Sequence, residues 1–353
     1  MVNNWLSIHI FYASNPLPLL TEMLEPLVNS LRAHGLIQRY FFIRYWQEGP
    51  HVRLRLLLTE RAMEERVKRE AEEVINAYLR RRPALYDAEN EQMQSFYKDM
   101  YIIEYGQQKW DETYGTEGRM PLRPNNSLHY IDYEPEYNRY GGREGVEVAE
   151  WHFEKSSEIV LKLISSTNLH VRTILLGLSI QLTLPLCFGL LEDEQRVIKF
   201  LTNYESHWLE NYHKDSSSSA ATFEKKFMRM SSRLQQRIAE IRSYALQDKL
   251  ETLTSVERAW IEHIRELRER IDILVAARKL IFQDRVQNRA FIPELPLQAY
   301  NILLGSYVHM TNNRLGVLIL DEIYLAYLQR RALEEAQKTS ALQSVSASHE
   351  VGL

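Results

Sequence analysis

The chain has a single cysteine, Cys187, in 353 residues. That excludes an internal disulfide and any zinc site assembled from several cysteines. Cys187 sits in an apolar run and reads as a buried thiol in a reducing compartment. An excess of basic charge is also missing. Lys and Arg total 43 against 47 Asp and Glu, a formal net charge of −4, which argues against a nucleic-acid coat and against direct nucleic-acid binding. Residues 1–5 lack the basic start and apolar core of a signal peptide, and no internal repeat is visible. One uncharged stretch, Thr173 to Leu191, is long enough to span a bilayer, but Gln181 and Pro185 interrupt it and no second segment resembles it. It reads as a buried central helix. A cytoplasmic protein without membrane contact, metal or cofactor is expected.

What is present is an ordinary globular composition, 45% hydrophobic and 25% charged, enough for one large domain or two smaller ones. Residues 4–12 are rich in aromatic and β-branched residues and read as a strand. Asn15 and Pro16 open a helix that Gly35 stops. A hairpin over about 38–47 and 51–58 follows, then a charged helix from Thr59, whose side chain is a candidate cap, to about Arg82. Strand, helix, two strands, helix is the order of a split βαβ sandwich.

Residues 84–126 are poorly patterned, and Ser127 to Tyr133 looks like another strand. From 146 onward the periodicity is helical: 146–166, the apolar run, and Glu192 to Tyr212. Ser216–Ser219 reads as a loop. Beyond it, stripes at Phe223, Phe227, Met230, Leu234 and Ile238, and at Trp260, Ile264, Leu267, Ile271 and Leu274, mark a helical hairpin or small bundle ending at Pro293 and Pro296. A last helical pair covers about 296–333. The expected fold class is α+β: a small antiparallel sheet with helices in 1–145, a largely helical part in 146–335, and a disordered tail over 336–353. The long helices offer a surface for homodimerisation.

Three segments carry candidate chemistry. In Arg44-Tyr-Trp-Gln-Glu-Gly-Pro-His-Val-Arg-Leu-Arg55, strand alternation sends His51, Arg53 and Arg55 to one face and Val52, Leu54 and Leu56 to the other. Cations on one strand repel, and burying them without an anion is costly. Such a row either faces open water or awaits carboxylates or phosphates. In Tyr133-Glu-Pro-Glu-Tyr-Asn-Arg-Tyr-Gly-Gly142 the two glycines permit backbone conformations that let a ligand approach the main chain. His309-Met-Thr-Asn-Asn-Arg314, placed near the start of a late helix, is by itself a capped helix junction as readily as a catalytic site. Taken together, arginines spread over the chain suit a pocket for an acidic group, since guanidinium binds carboxylate through paired hydrogen bonds. A histidine supplies proton transfer near neutral pH.

With these pieces in view, the chain resembles the C-terminal elimination domain of class I lantibiotic dehydratases and the free-standing thiopeptide-type bacteriocin biosynthesis proteins built on it. The matching segments are Tyr40-Phe-Phe-Ile-Arg-Tyr45, Gly49-Pro-His-Val-Arg-Leu-Arg55, Tyr133 to Gly142, Ala149-Glu-Trp-His-Phe153 and His309-Met-Thr-Asn-Asn-Arg-Leu315, over about 1–333. Thr183 to Cys187 and the 215–290 helices match no motif. The resemblance implies a lyase that expels glutamate from glutamylated Ser or Thr of a ribosomal precursor peptide, leaving dehydroalanine or dehydrobutyrine. A separate large subunit would supply the glutamylation. Arg53, Arg55, Arg139 and His309 are then expected as catalytic residues, with Arg44, His51, Tyr140 and Arg314 lining the substrate site. Two other readings stand beside it: a pyridine-forming cycloaddition on the same fold, and a non-catalytic protein that holds precursor peptide by strand addition.

Overall fold

The computed structural model describes residues 4–85, 91–116, 118–212, 216–247, 250–284 and 289–350. The chain divides into two compact units: Met1–Pro135 with Glu150–Thr167, and Glu136–Ala149 with Asn168–Leu353.

The first unit is built on a four-stranded sheet. β1 (Trp5–Phe11), β2 (Ile37–Tyr45), β3 (His51–Leu58) and β4 (Ser127–Tyr130) lie in the order β2-β3-β1-β4, with every neighbouring pair antiparallel. This is the strand order of the split βαβ sandwich. The first crossover is helical: α1 (Pro16–Leu19), a π-helical turn (Leu20–Leu24) and α2 (Glu25–Ala33). Asn15 accepts from Leu17 N–H at 3.1 Å to start it, and Gly35 at φ +67° ends it, with Leu36 N–H returning to Leu31 O at 2.9 Å. The second crossover is α3 (Glu64–Arg81). Period-two alternation gives one sheet face Leu6, Ile8, Ile10, Phe42, Val52, Leu54 and Leu56, all buried. The helices contribute buried stripes at Leu24, Leu27, Val28 and Leu31 and at Val67, Ala71, Ile75 and Leu79. α4 (Glu91–Tyr105) and α5 (Gln107–Tyr114) form a separate aromatic cluster around Tyr97, Tyr101 and Trp110.

Several expectations for this unit are corrected. Thr59 does not cap α3; its N–H bonds Leu36 O at 3.1 Å, and a 3₁₀ turn (Arg61–Met63) intervenes before the helix. The fourth strand stops at Tyr130 rather than Tyr133. The long helix α7 (Arg143–Ser166), preceded by the short α6 (Tyr137–Tyr140), contributes residues to both units. From Glu150 onward α7 belongs with the sheet: Ser157 Oγ accepts from Phe42 N–H at 3.2 Å, and Glu154 and Glu158 take Arg32 at 2.6 and 2.8 Å.

The second unit is helical. α8 (Arg172–Leu191) packs against α9 (Glu194–Tyr212), α10 (Ser216–Leu246), α11 (Ser255–Ala276) and α12 (Pro296–Leu315), while α13 (Ile319–Glu350) pairs with α9 and α10. Among the described residues α8 alone has the length and composition to cross a membrane, and 61% of its apolar window is buried within the protein. Its Leu182 carbonyl accepts from Trp260 Nε1 at 2.8 Å. α11 opens on a capping box between Thr254 and Glu257.

Ser216–Ser219, expected as a loop, begins α10; the helical penalty of serine is a few tenths of a kcal/mol, on the order that tertiary packing overrides, and Phe227, Ile238 and Ile241 bury the helix further along. A hairpin of β5 (Phe282–Asp284) and β6 (Arg289–Phe291) interrupts the expected helices. The tail from 336 continues α13 to Glu350; pairs of Arg331 with Glu334 and Glu335, and of Lys338 with Glu335, lie at helical spacing and support it. Residues 351–353 fall outside the described residues.

Candidate functional site

In the first unit, strand register assembles a polar patch on the sheet face opposite the apolar one. Arg55 lies across from Ser7 and Phe41, Arg53 from His9 and Ile43, and His51 from Phe11 and Tyr45. Arg55 is only 5% exposed, His51 5% and His9 3%. Arg55 Nη1 donates to Ser7 Oγ and lies 3.0 Å from His9 Nε2, with its Cζ 5.2 Å from the Tyr133 ring. Its Nε is buried without a hydrogen-bond partner among the described residues. Arg53 Nε donates to His51 Nε2 at 3.1 Å, and its guanidinium lies 3.5 Å over the Tyr45 ring. His51 Nδ1 lies 2.8 Å from Gly49 O. Because His51 Nε2 accepts, Nδ1 carries the proton and donates to that carbonyl.

The electrostatics follow from burial next to cations. Burial, then Arg55 and Arg53, hold the His9 imidazole far below its ordinary range. Burial pushes His51 down to about 3, with Arg53 and Arg55 adding to it and the Gly49 bond opposing. Both rings are neutral at pH 7. Burial also lowers Arg53, and it lowers Arg55 to about 9 with Arg53 next. Among the described residues no carboxylate stands within ion-pair distance of either guanidinium. Two oriented cations held by neutral acceptors form a site for an anion.

Arg44 does not join them. It lies across from Val52 and therefore leaves the other face, where burial lowers it to about 10. Tyr45 and Tyr133 lie within the candidate segments but carry no role assigned from the sequence, and Ser7 and His9 lie outside those segments. Ser7 and His9 did carry a signal, since they are the polar alternates of an otherwise apolar strand.

The other candidate residues lie in the second unit. Arg139, on α6, is exposed and pairs with Glu136 at 3.0 Å. Tyr140 is buried and stacks on Tyr307, ring centres 6.1 Å apart. Arg314 is wholly buried and donates to Met310 O at 2.8 Å; burial lowers it to about 9, with Tyr140 opposing. Gly141 has φ +83°, and a Cβ there would lie 2.9 Å from Phe282 Cζ, while its carbonyl accepts from Ile281 N–H at 2.9 Å. Tight packing against β5, rather than ligand access, accounts for this glycine.

His309 lies in the second half of α12, not near a helix start. Its Nδ1 is 2.9 Å from Glu322 Oε1, on α13. Glu322 Oε2 accepts from Tyr204 Oη and from Asn312 Nδ2, the latter at 3.1 Å. Asn312 Oδ1 accepts in turn from Ser179 Oγ at 2.6 Å. Beside them lies a cavity of about 10 Å³ lined by Ser179, Thr183, Tyr204, Asn312, Glu322 and Gln329 among others, room for about one water. The His309 ring packs 4.8 Å from Trp208. Burial lowers neighbouring His207, with Glu210 opposing and Arg139 and His309 adding to the drop. Glu322 and Tyr204 were missed, and nothing local in the sequence marks them. Among the described residues no group of three or more His, Cys, Asp or Glu is arranged to hold a metal.

The family described as lantibiotic biosynthesis dehydratase C-term matches residues 5–333. No curated protein is similar to the chain at a significant level. Among solved structures, the pyridine synthase TbtD from thiomuracin biosynthesis is similar with a TM-score of 0.74 and 18% identity, over 94% of this chain and 98% of that one. TsrL is similar with a TM-score of 0.66 and 16% identity, over 95% of each chain. The tRNA-dependent lantibiotic dehydratase MibB from Microbispora sp. 107891 gives a TM-score of 0.48 and 18% identity, over 96% of this chain and 28% of that one. At these identities the likeness to the solved structures is one of fold.

Proposed function

This chain belongs to the lantibiotic biosynthesis dehydratase C-terminal family, and from that premise we propose that it eliminates glutamate from glutamylated Ser or Thr of a precursor peptide. The observation that carries the proposal is the pair of buried Arg55 and half-buried Arg53, without a carboxylate partner among the described residues. A base takes the peptide Cα proton, the freed electron pair forms the Cα=Cβ bond, and the Cβ–O bond breaks to release glutamate as a carboxylate. Charge develops on the departing oxygen, where preorganised guanidiniums stabilise it without reorganising. The adduct carries a further carboxylate for the arginine fork to grip. Neutral His51 and His9 hold the two arginines without cancelling their charge.

Arg139 and His309 belong to the other unit and are assigned one by one: Arg139 as a further carboxylate contact, His309 in proton transfer. His51, Tyr140 and Arg314 take supporting parts, and Arg44, on the opposite sheet face, takes none. The substrate is a glutamylated peptide supplied by a separate glutamylating subunit that uses glutamyl-tRNA.

A second reading is pyridine-forming cycloaddition between two dehydroalanines with release of leader peptide. It is favoured by the match in fold to a pyridine synthase over nearly the whole of both chains. Mass spectrometry on two substrates separates them. Elimination is supported if a glutamylated peptide loses one glutamate per modified residue. Leader release from an already dehydrated peptide, with the glutamylated one untouched, overturns it. Alanine at Arg53 or Arg55 should stop the reaction; unchanged peptide modification would favour a non-catalytic peptide carrier.

A further inference from the structure

We infer that Glu322 is a positioning residue that fixes the Nδ1–H tautomer of His309 and so presents Nε2 as the proton-accepting nitrogen; this rests on the elimination reading for its catalytic consequence. Glu322 is 1% exposed, and a carboxylate there must be met by donors. Three converge on it from two further elements: Tyr204 Oη from α9, and Asn312 Nδ2 and His309 Nδ1 from α12. Each is fixed in sense. Burial and Glu322 raise the Tyr204 phenol well above its ordinary range, so it stays a donor. The Ser179 hydroxyl bonds Asn312 Oδ1, which turns the amide nitrogen toward the carboxylate. A carboxylate only accepts, so His309 Nδ1 must donate.

His309 is the member of this network whose ring reaches solvent, at 26% side-chain exposure. Its Nε2 has no hydrogen-bond partner among the described residues. A network that served helix packing alone would not need a half-open imidazole at its edge. With Nδ1 protonated, the lone pair of a neutral ring lies on Nε2, the geometry by which a carboxylate-held histidine acts as a base.

The test reads the tautomer directly. Nitrogen NMR of the full chain with labelled histidine, His309 being assigned by difference from His309→Gln, should show Nδ1 protonated and Nε2 bare at alkaline pH. In Glu322→Gln the amide brings its own donor against Tyr204 and Asn312, so the Nε2–H tautomer should gain population. Turnover of glutamylated peptide should then fall on the order of 10²-fold or more, with KM little changed. A wild-type His309 found mainly as Nε2–H overturns the inference, and that measurement needs no variant to fold. So does Glu322→Gln with the tautomer and turnover of the wild type. If the wild-type ring shows the assigned tautomer while no glutamate is ever released, the positioning role stands and the elimination reading falls.

Discussion

Arg55 Nη1 lies 3.0 Å from His9 Nε2, so a neutral imidazole occupies the position in which a buried arginine usually meets a carboxylate. The arrangement orients the guanidinium and leaves its charge uncancelled. Desolvating that charge weakens the fold, and an anionic ligand recovers the loss only when bound. Arg55→Met should therefore raise stability by about 1 kcal/mol while abolishing glutamate elimination. Urea denaturation beside the mass-spectrometric assay checks both halves. A variant markedly less stable than wild type would mean that the charge is already compensated.

The same pair should take a small dicarboxylate. Glutarate at ten times its dissociation constant should stabilise the protein by about 1.4 kcal/mol, seen as a rise of about 2 °C in Tm for a chain of this size. Arg53→Ala and Arg55→Ala should remove the response. Arg172→Ala should keep it, since Arg172 already pairs with Asp321 in the other unit. A shift that survives loss of both sheet arginines would place the anion elsewhere.

Gly141 and Gly142 both have positive φ, +83° and +91°, yet only Gly141 is crowded: a methyl group there would meet Phe282 at 2.9 Å, whereas one at Gly142 would meet nothing within 4 Å. Gly142→Ala should cost about 1 kcal/mol from backbone strain. Gly141→Ala should cost about 1–3 kcal/mol more, because the β5 side chains must also move. Chemical denaturation of the two variants gives the comparison, and equal costs would show that Phe282 yields freely.

Alternation alone made Arg53, Arg55 and His51 legible as one face, because period two survives any error in strand ends. Arg44 was not legible, because its face depends on the register Tyr45↔His51, which the hairpin turn sets. The sheet and the crossover helices could be read from period, and the first crossover also from its Asn15 cap. The three-residue strands of β5 and β6 are too short to carry a period. The long-range partners were beyond reach for another reason. Glu322 meets Tyr204 across 118 positions, and no spacing rule links residues on different helices of a bundle. Asn312 lies inside a segment marked from the sequence, but its role depends on Ser179, far away in the apolar run.

His51 gives the acid side of stability a specific source. It is 5% exposed, and burial, with Arg53 and Arg55 adding, pushes its imidazole down to about 3, against about 6.5 in an unfolded chain. Between those values the unfolded chain binds a proton that the folded protein refuses. Stability is therefore lost as pH falls from about 6.5 toward 3, by about 2 kcal/mol at pH 5 for this one group. A glutamine at 51 can donate to Gly49 O and accept from Arg53 Nε, as the imidazole does, but it does not titrate. His51→Gln should keep its neutral-pH stability to within about 1 kcal/mol and lose about 2 kcal/mol less than wild type between pH 7 and pH 5. His9, depressed in the same sense, leaves the variant with some acid sensitivity. Urea unfolding at the two pH values decides it: equal losses in both proteins would mean that His51 already carries a proton beside the arginines, and the neutral-acceptor account of the site would fail.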